Sequence, residues 1–125
     1  MTLRLTIFFA TLTTLAIIHS LANEFYLYWK YAWLDILMHA LGGVTVALGI
    51  SILPFFRTHF FERFQSLGLY VVAALLIGIA WEVFEVLSGI MVVDDTFISD
   101  TALDLLMDAV GVAGGYHLVV SLKKM

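Results

Sequence analysis

Four stretches of this chain are long and apolar enough to cross a bilayer, and no other feature limits its possible folds as tightly. They run Leu5–Ala22, Ala32–Leu53, Ser66–Ile90 and Thr101–Leu122. Each is close to the roughly 20 residues that a helix needs to span about 30 Å of hydrocarbon. Inside lipid the backbone N–H and C=O groups find no water, so each stretch must satisfy them internally as a helix. The connections are short, which favours antiparallel neighbours. The expected architecture is therefore all-α and integral to the membrane, an antiparallel four-helix transmembrane bundle. No linker, composition shift or useful repeat divides residues 1–125, which read as a single transmembrane domain.

Composition excludes the other classes. The chain is 62% hydrophobic and only 13% charged, with mean hydropathy +1.03, whereas soluble domains hold about 45–50% apolar and about 25% charged residues. A water-soluble monomer is ruled out, and so is disorder, which needs a chain poor in aromatic and branched residues. There is no Cys, hence no disulfide framework, zinc ribbon or thiol nucleophile. A net charge of -4 argues against nucleic acid as a partner.

Basic residues set the expected orientation. Arg4, Arg57, Arg63, Lys123 and Lys124 fall on one side and Lys30 alone on the other, which places both termini in the cytoplasm. Phe25, Tyr26, Tyr28, Trp29, Tyr31 and Trp33 form an aromatic belt at the opposite, outer boundary. Between the second and third spans, Phe56, Phe60 and Phe64 recur at helical spacing around Arg57 and Arg63. That pattern suits a short helix lying in the inner interface, or equally a loop whose Phe residues pack under the bundle. The first span also has a signal-peptide reading, because Arg4 precedes an apolar run ending Ser20-Leu21-Ala22. Its apolar run is long for a signal, and a retained span is the expectation.

The spans carry an unusual load of ionisable residues: His19 in the first, Asp35 and His39 in the second, Glu82 and Glu85 in the third, Asp104 and Asp108 in the fourth. Such groups are costly in lipid, by about 2.5–3.5 kcal/mol on insertion scales for Asp at a helix centre, and they mark function. Within each of the last three spans the two groups stand three or four residues apart and share a helix face. The faces continue as small-residue stripes: His39, Gly42, Val46, Gly49; Gly78, Glu82, Glu85, Gly89; Thr101, Asp104, Asp108, Gly111, Gly115. Small-residue stripes turn toward other helices. At about 1.5 Å per residue, all seven ionisable groups fall in the outer half of the bilayer. A polar pocket opening outward is expected, above an inner half of glycine and apolar packing.

Charge limits what this pocket holds. Five carboxylates crowded in low dielectric must be partly protonated or neutralised by a cation, and no intramembrane Lys or Arg is available. A divalent metal ion answers this, with His39, Glu82, Glu85 and Asp108 as ligands and Asp35 and Asp104 as ligands or partners of ligands. The Glu-x-x-His pair of ferritin-like di-metal bundles is absent, so that class is not indicated. Bland readings exist for several residues. Asp35 and Asp104 lie near enough to the boundary to be solvated, and His19 can be a histidine bonded to a backbone carbonyl. His59 and His117 lie away from the cluster, and Trp81 and Met107 read as packing.

Trp33-Leu-Asp35-Ile-Leu-Met-His39-Ala-Leu-Gly42-Gly43, Ala80-Trp-Glu82-Val-Phe-Glu85 and Asp100-Thr101-Ala-Leu-Asp104-Leu-Leu-Met-Asp108-Ala-Val-Gly111 resemble the YjdF-type inner-membrane proteins. That family shows D-x-x-x-H, then E-x-x-E near the end of a span, then D-T-x-x-D before a Gly-rich helix. A looser likeness in layout extends to VanZ-like proteins. Asp108 departs from the wider group, where an uncharged residue or Asn is common. The resemblance implies a bacterial inner-membrane location and little about chemistry.

Three function classes follow. The first is a metal-dependent hydrolase or transferase acting on lipid or lipid-linked headgroups at the outer interface, with Glu82 and Glu85 as its catalytic carboxylates. The second is a cation or proton carrier, since aligned carboxylates and His serve ion pathways. The third is an accessory or assembly subunit, contacting a membrane-protein partner, whose polar cluster only fixes helix packing. Membrane lipids are the expected surroundings in all three.

Overall fold

Local signals set the limits of each helix in the computed structural model, which describes residues 2–56 and 66–124. Helix α1 (Thr2–Glu24) ends in a reversal at Tyr26, whose φ of 54° is left-handed. One short turn of helix, α2 (Leu27–Lys30), then leads into α3 (Ala32–Ile52). Beyond α3 the chain tightens into a 3-10 turn over Leu53–Phe56, around Pro54, which cannot donate a helical hydrogen bond. The remainder of the expected interfacial segment, with Arg57, His59, Phe60, Arg63 and Phe64, lies outside the described residues. Helix α4 (Leu67–Leu87) is capped by Ser66, whose hydroxyl accepts from the Leu69 N–H at 3.4 Å.

Two ends differ from the sequence expectation, each for a visible reason. Helix α4 stops at Leu87, short of Ile90, because Gly89 takes φ 70°. The Ile90 N–H bonds the Glu85 carbonyl and the Gly89 N–H that of Val86, the paired closure of a Schellman motif. Gly89 thus ends the third stripe in a turn instead of extending it. The last helix, α5 (Phe97–Lys124), begins ahead of Thr101. Asp94 starts it by accepting from both the hydroxyl and the backbone N–H of Thr96 at 2.8 Å. These bonds favour the ionised form and hold Asp94 below the usual carboxylate range.

Helices α1, α3, α4 and α5 are long and apolar enough to cross a membrane, and no strand occurs among the described residues. The fold is the expected four-helix transmembrane bundle. Its closest packing, however, joins the second and fourth spans. Gly111 of α5 sits on Ala40 of α3, and Gly115 on Val44 and Ala47, so residue numbers rise together and the two helices run parallel. A methyl group on Gly111 would collide with the Ala40 carbonyl, and one on Gly43 would lie 2.6 Å from the Val112 nitrogen. Two parallel helices approach this closely only where side chains are missing.

Bringing α3 and α5 together pushes the other two helices apart. Helix α4 leans on α5 and α1 on α3, while the α1 and α4 backbones scarcely meet. In α1 only Ala22 is fully buried among the described residues. Apolar packing fills the rest: Ala47, Ile50, Tyr70, Ala74 and Val112 form one cluster, and Ala22, Leu34 and Met38 another beside the aromatic segment. Phe25, Trp29 and Trp33 are exposed there, as an interfacial belt requires.

Candidate functional site

His39 occupies the third turn of α3, at the aromatic end of the bundle, and is only 6% exposed. Its ring is enclosed by acidic groups from three helices. On one side Nδ1 lies 3.3 Å from Oδ1 of Asp108. A carboxylate accepts, so Nδ1 carries the hydrogen and donates it. On the other side Nε2 faces Glu82 Oε1 at 3.8 Å, with Asp35 Oδ1 and Asp104 Oδ1 both at 3.9 Å.

The two sets of distances differ in kind. The Asp108 contact is a long hydrogen bond, whereas 3.8–3.9 Å is beyond one. Two ligands of a single ion, each about 2.1–2.4 Å from it, stand roughly 3.0–3.9 Å apart at ordinary coordination angles. Asp35, His39 and Asp104 each present a ligand atom, and all three lie within 4.8 Å of one another. Among the described residues His39 is the only basic side chain within ion-pair distance of these carboxylates.

Several of the carboxylate oxygens have nothing to bond. Glu82, Asp104 and Asp108 are 4%, 3% and 6% exposed, yet among the described residues Glu82 Oε1, Asp104 Oδ2 and Asp108 Oδ2 have no hydrogen-bond donor. Glu82 Oε2 is satisfied, accepting from the Thr101 hydroxyl at 2.9 Å. Buried polar atoms are nearly always paired, and leaving one unpaired costs about 1–3 kcal/mol, more when it is charged. Three together, around one imidazole, are the kind of group that a cation or a shared proton satisfies. Gly78 makes room for this arrangement, since a methyl group there would strike Asp108 Oδ2.

The other residues singled out in the sequence take distinct places. Asp104 is not solvated but buried among the helices, while the Asp35 side chain is 36% exposed. Glu85 is buried and lines an adjoining cavity of about 220 Å³ with Asp35, His39 and Asp108. His19 also lines this cavity and bonds side chains, not a backbone carbonyl: Asn23 Nδ2 donates to Nε2 at 2.9 Å, and Nδ1 meets the Tyr28 hydroxyl at 2.9 Å. Trp81 packs its ring against His19, 5.2 Å between centroids, and His117 is exposed near the far end of α5.

Tyr28 is the site neighbour that sequence reasoning missed. It belongs to the aromatic segment, in the short helical turn that follows the left-handed Tyr26, and it lines the same cavity. Burial, with Asp35 and Glu85 nearby, pushes its hydroxyl well above the usual tyrosine range. The opposite end of the bundle is also less apolar than expected. Tyr70 is fully buried there, its hydroxyl without a hydrogen-bond partner among the described residues, its ring is 5.1 Å from that of Tyr116, and Arg4 donates to the Ser51 carbonyl at 3.3 Å.

No curated protein and no solved structure matches this chain. The likeness to VanZ-like proteins accordingly gains no support. One family does match: its model, described as a predicted membrane protein (DUF2238), covers residues 1–122. With nearly its whole length matched, the chain belongs to that family of membrane proteins.

Proposed function

We propose that the His39 cluster is a divalent-cation site in a membrane-embedded hydrolase or transferase acting on lipid or lipid-linked headgroups. The observation that carries this is the pair of buried carboxylates on the Nε2 side of His39, Glu82 and Asp104, each with one oxygen that finds no hydrogen-bond partner among the described residues. His39 Nε2, Asp35, Asp104 and Glu82 would hold the ion. Asp108 fixes the ring's tautomer from behind, as carboxylates commonly do for metal-binding histidines. Such an ion supplies an electrophile and lowers the pKa of a bound water. Glu85, beside the cluster in the cavity, is placed to accept a proton.

The motif resemblance to YjdF-type proteins supports a bacterial inner-membrane location. The excess of basic residues at one end supports both termini in the cytoplasm, with the aromatic end and the cluster toward the outer face. Residues 1–125 then act as one transmembrane domain.

Elemental analysis of the protein purified in mild detergent tests the ion. About one tightly held divalent ion per chain is the expected result. No metal, together with a melting curve that a chelator leaves unchanged, would falsify it. That outcome favours the accessory-subunit reading, which draws on the glycine packing of α3 against α5, a contact needing no ion. The carrier reading draws on Tyr70 and Arg4 at the far end of the bundle.

A further inference from the structure

We infer that the cavity beside His39 seats an acyl chain of a bilayer lipid, which enters sideways between α1 and α4. The inference names the substrate class of the proposed function, and for the lipid's headgroup it rests on that reading.

The opening is lateral because α1 and α4 are held apart. Leu12 of α1 and Ile77 of α4 both line the cavity, yet are 41% and 53% exposed, so the wall they form is continuous with the lipid-facing surface. At the aromatic end the His19 and Trp81 rings, 5.2 Å apart, bridge the same two helices and close the slot from above. Polarity changes along its length. Asp35, His39 and Glu85 stand at the aromatic end, while Leu12, Val46 and Ala74 line the part nearer the middle of the bundle. A lipid of the adjacent leaflet has the same gradient, head at the interface and chain toward the midplane. Water does not suit the apolar part, where it would find too few polar partners. An apolar cavity of about 150 Å³ holds benzene, so by proportion about 220 Å³ holds roughly nine carbons of a chain.

The hydrogen bonds at the head of the slot favour an oxygen-bearing ligand. Asn23 donates to His19 Nε2, so Nδ1 carries the hydrogen and donates to the Tyr28 oxygen. The Tyr28 hydroxyl hydrogen is left to point into the cavity that Tyr28 lines. An ester or phosphoester oxygen accepts such a donor and also ligates a divalent ion.

The test uses the full chain in vesicles of phosphatidylethanolamine and phosphatidylglycerol doped with a phosphatidylethanolamine bearing a mid-chain diazirine. After photolysis, adducts are expected on Val46, Leu12 and Ile77. Ile77→Trp should fill the slot and abolish the Val46 adduct, whereas Leu76→Trp, on the exposed face of α4, should leave it. Both positions face lipid, so neither change should unfold the chain. Adducts spread over Leu76, Val83 and Val110 without enrichment at Val46, or a Val46 adduct that survives Ile77→Trp, overturn the slot. Metal content measured on the same samples separates the two ideas. Metal-free protein that still labels Val46 sinks the ion and keeps the slot, while metal-bearing protein that never labels Val46 does the reverse.

Discussion

His39 and Asp108, 69 positions apart in the chain, meet at 3.3 Å between Nδ1 and Oδ1. The contact depends on glycine, because Gly43 and Gly111 let the α3 and α5 backbones touch one turn away. The same close approach turns Asp104 toward the Nε2 face of the ring. Helix packing and the polar cluster are therefore one construction, and they can be separated by substitution.

Removing a ligand should uncouple stability from metal. An ion that binds only the native state, present at about 100-fold above its dissociation constant, contributes about 2.7 kcal/mol. Chelation should lower the Tm of the unmodified protein in detergent. Asp104→Asn and His39→Ala should each start lower and respond little to chelator. A response as large as that of the unmodified protein would place the ion elsewhere.

Gly111→Ala should destabilise by about 1–3 kcal/mol, the usual cost of overpacking, since its methyl group meets the rigid Ala40 carbonyl. Gly114→Ala, in the same helix with nothing within 4 Å, is the control and should leave stability unchanged or raise it by up to about 1 kcal/mol, since Ala is the better helix former. Thermal unfolding of the two variants side by side decides it. Equal Tm values would mean that α3 and α5 do not approach as described.

At Gly78 the obstacle is a side chain, not backbone. A methyl group there strikes Asp108 Oδ2 and comes within 2.9 Å of Leu105 Cδ2, and both can rotate away. Gly78→Ala should therefore cost less stability than Gly111→Ala, yet weaken metal binding by moving Asp108 off His39. Calorimetric titration with manganese or zinc measures the second effect. Unchanged affinity would show that Asp108 does not orient the ring.

Tyr28 should ionise late. Its native pKa is raised by burial first, then by Asp35 and Glu85, so the native state favours the neutral phenol. The stability this contributes is fully present below the unfolded tyrosine pKa of about 10, and is lost as pH rises from there toward the native value. The tyrosinate absorbance of the unmodified protein minus that of Tyr28→Phe should be flat through pH 10. A normal titration step in that difference would place Tyr28 in water.

Orientation is open to a direct check. A reporter fused after Lys124 should be active only as a cytoplasmic fusion, given the basic residues at that end. Periplasmic activity would invert the bundle and turn the His39 cluster inward.

The sequence by itself determined the membrane, the four spans, and the grouping of Asp35 with His39, Glu82 with Glu85, and Asp104 with Asp108 on shared helix faces. Those properties depend on apolar length and on a helical period of about 3.6 residues, both of which are local. Helix ends were less legible, because the closures at Gly89 and Asp94 depend on particular hydrogen bonds. Tertiary structure alone decided the rest. Matched depth makes a meeting of the ionisable pairs possible, but it does not say which carboxylate takes which imidazole nitrogen. Whether Gly43 and Gly111 pair the second span with the fourth, or with the third, is not encoded in either helix alone. That one pairing sets Asp108 behind His39 and Asp104 before it, and it parts α1 from α4 to leave the cavity. Side-chain placement of this kind arises from close packing between distant segments, which no periodicity within a single segment records.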